Sequence, residues 1–406
     1  MKRGGIVGVL VGISATAGVF GGASPGLAAT ETSVDCGAGA DLQAAIDAAA
    51  PGAILDISGR CVGTFVVGKH LVLKGVSDAV LDVQGEGSAL TIIGGTVRVT
   101  KLRLTGGTDP GVVNHGTLVM QRSTVIGFEA DGSDAGGIDN FGTATVQQST
   151  ISRNSETGIT NWRSASLTVI ASTVNGNSSG PMGGGITNFG AAMIIRSTIA
   201  NNQSWNAEGG GIENWGTMSI THSTITGNDG DAEGGGLQNY GTTIITATII
   251  AGNVASGGVG FSDCAGPGPV VSHGYNLVGT IKEQDPCPFQ LVSSDRAGTS
   301  TRINANLLPL GSYGGPTQTA KPRAISRAVD AIPIGAASTD ATPLAPHLEL
   351  LTSAGSRGRT GPPAISARSS DSRTDACARA EFAAGGGLLV IPPWNLTLRR
   401  EVGRTP

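Results

Sequence analysis

A sequence motif of roughly 25 residues occurs three times between residues 183 and 253, and this repeat constrains the fold more than any other feature. The copies read GGGITNFGAAMIIRSTIANN, GGGIENWGTMSITHSTITGN and GGGLQNYGTTIITATIIAGN. Self-similarity at such a period is typical of solenoids, propellers and arrays. Within each copy, apolar residues alternate with polar ones in short runs, which predicts strands rather than helices.

The asparagine that precedes an aromatic residue marks the repeat over a longer stretch, with steps of 26, 21, 27, 26 and 25 residues. A Ser or Thr follows nine residues later in every copy but one, where the interval is eleven. The asparagines are Asn114, Asn140, Asn161, Asn188, Asn214 and Asn239. Two aliphatic columns repeat with them: Val125, Ile151, Val174, Ile199, Ile225 and Ile250, and Ile138, Ile159, Ile186, Ile212 and Leu237.

Three short strands per repeat, with Gly or Asn at each corner, predict an all-β fold, a right-handed parallel β-helix. Coils would stack at the strand spacing of about 4.8 Å, so that the aliphatic columns fill the interior. We expect the turn asparagines to form an amide ladder and to tolerate a left-handed backbone, with glycine supplying positive φ at the other corner. These asparagines are Asn154, Asn177, Asn202, Asn228 and Asn253.

Residues 1–29 have a basic start, a small-apolar middle and a Leu27-Ala28-Ala29 end, which predicts a secretory signal peptide. The apolar stretch is too short to span a bilayer, and no other membrane segment is apparent. Removing Lys2 and Arg3 changes the formal net charge from −4 to −6. We therefore expect a secreted or cell-surface protein with no nucleic-acid partner.

The segment DLQAAIDAAA at residues 41–50 begins with an Asp N-cap and stops before Pro51-Gly52, which predicts a short helix. A solenoid needs a cap over its first coil, and this helix can supply it. Cys36 and Cys61 bracket the helix, and in an exported protein they are expected to form a disulfide. A second disulfide, between Cys264 and Cys287, would close the C-terminal coils.

The GGGI-x-N-aromatic-GT and STI-x-x-N repeat, followed by GYNL, GGPTQT and AVDA, resembles secreted bacterial right-handed parallel β-helix repeat proteins. These are similar to the repeats of chlamydial polymorphic outer-membrane proteins and often carry a choice-of-anchor domain. The resemblance covers roughly residues 41–340 and includes the pectate-lyase-like fold. It implies a cell-surface or extracellular β-helix, and it implies no catalytic residues.

We divide the chain into the signal peptide at 1–29, the capped β-helix with its C-terminal coils at 30–340, and a tail at 341–406. Residues 321–406 carry ten arginines, against nine in residues 30–320, and show no periodicity. Members of the resembling family usually end in DQRG, eight residues and CDIGAFE. When residues 351–354 and 363–370 are back-translated with GC-rich codons, the resulting DNA can encode these two strings in a reading frame shifted by two bases. We therefore hypothesise a lost reading frame between about 331 and 344; the alternative is a genuine Arg/Pro/Ser-rich tail, and the nucleotide sequence decides.

Acidic residues offer one candidate site. Glu208 and Glu233 each stand just before a triple glycine, and Asp229 and Asp231 share the loop NDGDAE, so four carboxylates could bind calcium. The alternative is a set of solvating loop residues. A further column precedes the asparagine and has two acids three coils apart, too far for an acid–base pair, so we expect a solvated face. That column is Asp139, Thr160, Thr187, Glu213 and Gln238.

An aromatic column is the other candidate: five of the fifteen Phe, Trp and Tyr residues occupy the position after the asparagine. Stacked neighbours would fix the register of the coils. Alternatively, exposed ring faces would bind sugars. The column is His115, Phe141, Trp162, Phe189, Trp215 and Tyr240, and the predicted sugar contacts are the last four.

These observations predict a secreted or cell-surface β-helix that acts as a monomeric interaction or adhesion module, whose partner is an extracellular polysaccharide or a cell-surface component. No cofactor is expected beyond the candidate calcium. The alternatives are a polysaccharide lyase or glycoside hydrolase of the β-helix fold, and a frameshifted product without function. The fold alone does not decide among them.

Overall fold

The computed structural model describes residues 30–130, 135–180, 182–206, 208–257, 260–281, 287–299 and 301–329. The predicted signal peptide, the tail at 341–406 and the proposed frame loss lie outside these residues. Within them the chain forms a parallel β-solenoid of about 10 turns. No helix in this part of the chain is long and apolar enough to cross a membrane.

Each turn of the solenoid contributes strands to three faces. Face 1 is a nine-stranded sheet, and its strands run parallel in the order of the chain. Its strands are Phe65–Val67, Leu90–Ile92, Val112–Asn114, Ile138–Asn140, Ile159–Asn161, Ile186–Asn188, Ile212–Asn214, Leu237–Asn239 and Cys264–Ala265.

Face 2 follows face 1 after a two-residue corner and carries the longest regular strands of the repeat. Its strands are Glu31–Asp35, Ile54–Val62, Leu71–Gly85, Thr96–Thr100, Thr117–Gln121, Thr143–Gln147, Ser166–Ile170, Ala191–Ile195, Thr217–Thr221, Thr242–Thr246, Val270–Ser272 and Phe289–Gln290.

Face 3 follows face 2 after a second corner. Its strands are Arg103–Gly107, Thr124–Ile126, Thr150–Ser152, Thr173–Asn175, Thr198–Ala200, Thr224–Thr226, Ile249–Ile250, Leu277–Val278 and Arg296–Ala297. Leu71–Gly85 turns this corner, because its first part pairs with Thr96–Thr100 and its second with Arg103–Gly107. Faces 2 and 3 therefore form one 21-stranded sheet. A short sheet follows face 3, with strands Ser178–Ser179, Gln203–Ser204, Asp229–Gly230, Val254–Ala255 and Gly260–Phe261.

The aliphatic columns lie in the interior, as the repeat predicts. Ile186 pairs with Ile212 and Ile212 with Leu237, and all three are 0% exposed. The column on face 3 pairs in the same way, from Val125 to Ile250. Like residues thus stack on like residues in a continuous core, which confirms the predicted β-helix.

Two buried amide ladders run beside this core. In the predicted turn ladder, Asn154 Nδ2 donates to Asn177 Oδ1 at 2.8 Å, and the pattern continues to Asn253. The asparagines that end the strands of face 1 form the second ladder, with Asn114 Nδ2 donating to Asn140 Oδ1 at 2.7 Å and so on to Asn239. Each amide satisfies its neighbour's polar atoms where water cannot.

The left-handed corners differ from the expectation. The turn asparagines do not have positive φ, whereas the column between faces 2 and 3 does, and it contains no glycine in six consecutive coils. The hydroxyl of the next residue explains this, since Ser149 Oγ accepts from Ser123 N at 3.1 Å and donates to Gln147 O at 2.8 Å, which holds the turn. We call it the corner column: Arg122, Gln148, Ala171, Arg196, His222 and Ala247.

The N-terminal cap and both disulfides are confirmed. The helix spans Leu42–Ala48, Asp41 caps it by accepting from Ala44 N at 3.0 Å, and Leu42 and Ile46 join the core. A 3-10 turn at Cys36–Ala38 precedes it. Cys36 bonds Cys61, and Cys264 bonds Cys287 near the last coils.

The chain covers two of the three faces itself. The glycine runs pass over face 1 so closely that a Cβ on Gly183 would lie 2.8 Å from Glu213 Cβ. Residues 301–329 return across face 3, where Thr198 Oγ1 and Thr319 Oγ1 are 3.0 Å apart, and we call this segment the strap. Thr173 also donates to Gln318 O. Face 2 carries no such covering segment among the described residues.

The turn ladder ends on a carboxylate. Asn253 donates from its backbone N and from Nδ2 to Asp263 Oδ1, at 2.8 and 2.9 Å. Burial raises the pKa of Asp263 from 3.8 to about 6, against the opposing effect of the Asn253 hydrogen bonds and the Arg302 charge. The folded protein therefore holds a proton between these two pH values that the unfolded chain has already released.

We predict that Asp263→Asn flattens the pH dependence of stability. The parent should lose about 3 kcal/mol of unfolding free energy as pH rises from about 4 to 6, since the raised pKa favours the protonated folded state. Asn keeps the acceptor for Asn253 and has no charge to bury. Denaturant unfolding of both proteins between pH 4 and 8 tests this, and parallel pH profiles would contradict it.

Candidate functional site

The aromatic column lies at the corner between faces 1 and 2 and forms one continuous stack. Its rings lie 4.0–6.5 Å apart between centroids, and their planes differ by 4° to 21°. Phe141 is 41% and Trp215 48% exposed. The inner rings expose their edges, because the face of each ring lies against the next ring.

This stacking changes the role expected for Trp162, Phe189, Trp215 and Tyr240. A sugar ring packs on an aromatic face, and the faces of Trp162, Phe189 and Trp215 are covered on both sides by neighbouring rings. The geometry therefore favours the first interpretation, a ladder that stabilises the register of the coils by about 0.5–1.5 kcal/mol per pair.

Carboxylates hold the ring nitrogens in place. Trp215 Nε1 donates to Glu213 Oε1 at 2.9 Å, and Trp162 Nε1 donates to Asp139 on the preceding coil. Glu213 Oε2 accepts from Gly183 N at 2.9 Å. Both oxygens of Glu213 are therefore used in fixing the glycine run and the ring stack.

The column that contains Glu213 is not the solvated face that we expected. Thr160 and Thr187 are 0% exposed, Gln238 is 1% and Glu213 is 8% exposed, although Asp139 at one end is half-buried. The glycine runs cause this burial, since they lie directly over the outer side of face 1. The sequence did not show that the repeat covers its own face.

Glu213 belongs to a polar cluster at the C-terminal end of the ring stack. Glu208 accepts hydrogen bonds from Tyr240 OH and Gln238 Nε2. Burial raises the pKa of Glu213, and the nearby charge of Glu208 adds to the effect, while the bonds from Trp215 and Gly183 oppose it. Burial, followed by the bond to Glu208, raises the pKa of Tyr240 to about 12. The spacing Glu213-x-Trp215, which puts both side chains on one side of the chain, is a signal that sequence reasoning missed.

Two of the four carboxylates of the predicted calcium site make separate side-chain contacts. Glu208 binds Tyr240 and Gln238, whereas Asp229 accepts from Ser256 N at 3.1 Å and from Ser256 Oγ. Asp231 and Glu233 contribute backbone contacts, since their main-chain carbonyls accept from Gly257 N at 2.8 Å and from Gly209 N at 3.2 Å. Among the described residues, no group of three or more His, Cys, Asp or Glu side chains is arranged to hold a metal ion. The calcium site stays a prediction.

The outer surface of face 2 lies next to the ring stack and is larger and more uniform than it. Six consecutive strands in continuous register, from Thr117–Gln121 to Thr242–Thr246, each point three side chains outward, eighteen in all. None of the eighteen is charged. They are Thr117, Val119, Gln121, Thr143, Thr145, Gln147, Ser166, Thr168, Ile170, Ala191, Met193, Ile195, Thr217, Ser219, Thr221, Thr242, Ile244 and Thr246.

Comparison with known proteins adds little beyond the fold. No family model and no curated protein matches the chain. Among solved structures, the crystal structure of pectate lyase Pel9A is similar, with 13% identity and a TM-score of 0.45 over 75% of this chain and 92% of that one. A likeness of this size carries no statement about activity, and the β-helix assignment rests on the strand pairing described above.

We predict that Trp215→Ala destabilises the protein by about 2–4 kcal/mol. It removes two stacked pairs and the donor to a buried carboxylate. Trp215→Phe is the matched variant, since it keeps an aromatic ring in the stack but removes the N–H and part of the ring area, so it should retain about half of the lost stability. Denaturant unfolding checks both, and an unchanged midpoint for Trp215→Ala would refute a structural ladder.

Proposed function

We propose that this protein is an extracellular interaction module that binds an extended polysaccharide along face 2. The observation that carries the proposal is the uncharged, uncovered outer surface of six consecutive strands. The signal-like residues 1–29 and the two disulfides support the extracellular location.

The chemistry of face 2 fits a sugar polymer. Its outward side chains combine Thr and Ser hydroxyls, Gln amides and apolar groups, and a polysaccharide presents hydroxyl edges and apolar C–H faces in the same way. Gln121 Nε2 donates to Gln147 Oε1 at 3.0 Å, so that even the amides are ordered from coil to coil. An ordered surface loses little side-chain entropy when it binds.

The regular spacing of the coils favours an extended partner. Parallel strands repeat at about 4.8 Å, so each column places one uncharged side chain per coil at equal intervals along the axis. A linear polymer with repeating units can contact several coils at once, and weak contacts then add up through multivalency. A compact globular partner would not use this repetition.

An enzymatic role is the second candidate, and one observation favours it. Glu213 has a raised pKa and lies near Glu208, as an acid–base pair of a glycoside hydrolase would require. Glu213 is 8% exposed, however, and both of its oxygens accept hydrogen bonds from the protein. A carboxyl group so held has little access to a polymer, so binding is the better account.

The test places a charge in the middle of face 2. Thr145→Glu and Ser219→Glu should each weaken binding to an insoluble polysaccharide by about tenfold, because a bound sugar would desolvate the new carboxylate. Val62→Glu is the control, since Val62 is 56% exposed on an early coil and lies outside the six strands.

Sedimentation with cellulose, chitin or peptidoglycan measures the binding of the full chain, and circular dichroism confirms folding. Equal losses for all three variants, or binding to none of the polymers, would remove the support for face 2. Release of soluble sugars from any polymer that is lost on Glu213→Gln would favour the enzyme instead.

A further inference from the structure

The uncovered end of face 3 holds a second surface that the binding of sugars on face 2 does not use. A hollow of about 370 Å³ lies there, and its charged lining residues are Lys101, Arg103, Arg122 and Asp78. Three cations thus face one carboxylate, in a chain whose formal net charge is −4. Such a local excess of positive charge attracts anions.

The cations of this hollow are not used in ion pairs. Within the described residues, the ion pairs are Arg60 with Asp82 and Lys74 with Glu31 and Asp56, and none of these residues lines the hollow. Three cations held together repel one another unless an anion or solvent screens them.

The guanidinium of Arg122 is held in position. Its Nε donates to Gln148 Oε1 at 2.9 Å on the next coil, and its terminal nitrogens make no hydrogen bond with any described residue. A guanidinium fixed in this way keeps paired donors for a planar or tetrahedral oxyanion.

The hollow continues into a second one of about 290 Å³ that shares Arg122 and Thr124. Thr124 and Thr150 are half-buried along its floor, and Pro316 and Thr317 of the strap close its far end. The strap itself shows how face 3 accepts a chain, since it bonds to the hydroxyls of Thr173 and Thr198 on the next coils. We call the two hollows together the groove. The threonines Thr124, Thr150, Thr173 and Thr198 form one column on face 3, and the groove lies over the part of it that the strap leaves open.

We propose that this groove is an oxyanion-binding site, in which Arg103, Arg122 and Lys101 bind a phosphate or carboxylate group and Thr124 and Thr150 contact the hydroxylated remainder of the ligand. The group can belong to a free ion or to an acidic polymer. The site is distinct from the eighteen outward side chains of face 2, because it begins at Arg122 of the corner column and extends from there onto face 3.

The chain offers a matched pair of variants. Arg122→Gln removes one cation, and the backbone accepts Gln there because Gln148 has the same φ of 49° one coil further on. Arg153→Gln is the control, since Arg153 also has positive φ, 53°, and lines neither hollow. Arg103→Gln is a second test variant on a regular strand.

The experiment titrates the full chain with inorganic phosphate and, separately, with polygalacturonate, by calorimetry and by the Nε–Hε signals of arginine in NMR. Arg122→Gln and Arg103→Gln should each weaken binding by about fivefold or more, and Arg153→Gln and Thr145→Glu should not. Binding should also weaken as salt rises.

The two ligands distinguish the sources of the oxyanion. If phosphate binds with this dependence, the groove accepts a free oxyanion; if polygalacturonate alone does, the oxyanion belongs to a polymer. The proposal would be overturned if neither ligand binds, or if Arg153→Gln loses as much affinity as Arg122→Gln does. Either result would leave the proposed binding of polysaccharide on face 2 unaffected.

Discussion

The structure depends on the continuous register in which each coil lies on the next. A buried amide must find partners for its N–H donors and for its oxygen. In both ladders the amide donates to the asparagine of the next coil and to a backbone carbonyl, and its oxygen accepts from the asparagine of the preceding coil. If one coil shifted by one residue, the amides of the two neighbouring coils would lose their hydrogen-bond partners. The aliphatic residues of the shifted coil would also point toward solvent. Polar satisfaction and core packing therefore specify the same register, and neither could be kept without the other.

The same register turns the surface into columns. Rings stack on rings, left-handed residues on left-handed residues, and hydroxyls on hydroxyls along the axis. The chain then covers face 1 with its glycine runs and most of face 3 with its strap. Six consecutive strands of face 2 keep a bare and uncharged exterior, which is a surface available for a partner.

The structure changes the roles that the sequence suggested for the aromatic column and for Glu213. Aromatic residues along a solenoid suggest sugar binding, but in this protein the ring faces contact each other, so that the column stabilises the corner and only borders face 2. Glu213 was expected to be solvated, but it is a buried carboxylate that accepts hydrogen bonds from Trp215 and Gly183. The stacking of the coils decides the first outcome, and the close approach of the glycine run decides the second.

The architecture can be read from the amino-acid sequence alone, because the period, the alternation and the Asn and Ser columns are local signals repeated along the solenoid. The sequence predicted the inward files of Ile186, Ile212 and Leu237, the turn ladder, the capping helix and both disulfides. What lies over each face depends on long-range contacts, since the strap bonds to Thr173 and Thr198 from more than a hundred residues away in the chain. Contacts so distant along the chain leave no periodic trace, and for that reason the bare face 2 and the basic groove beside Arg122 became visible only in the folded protein.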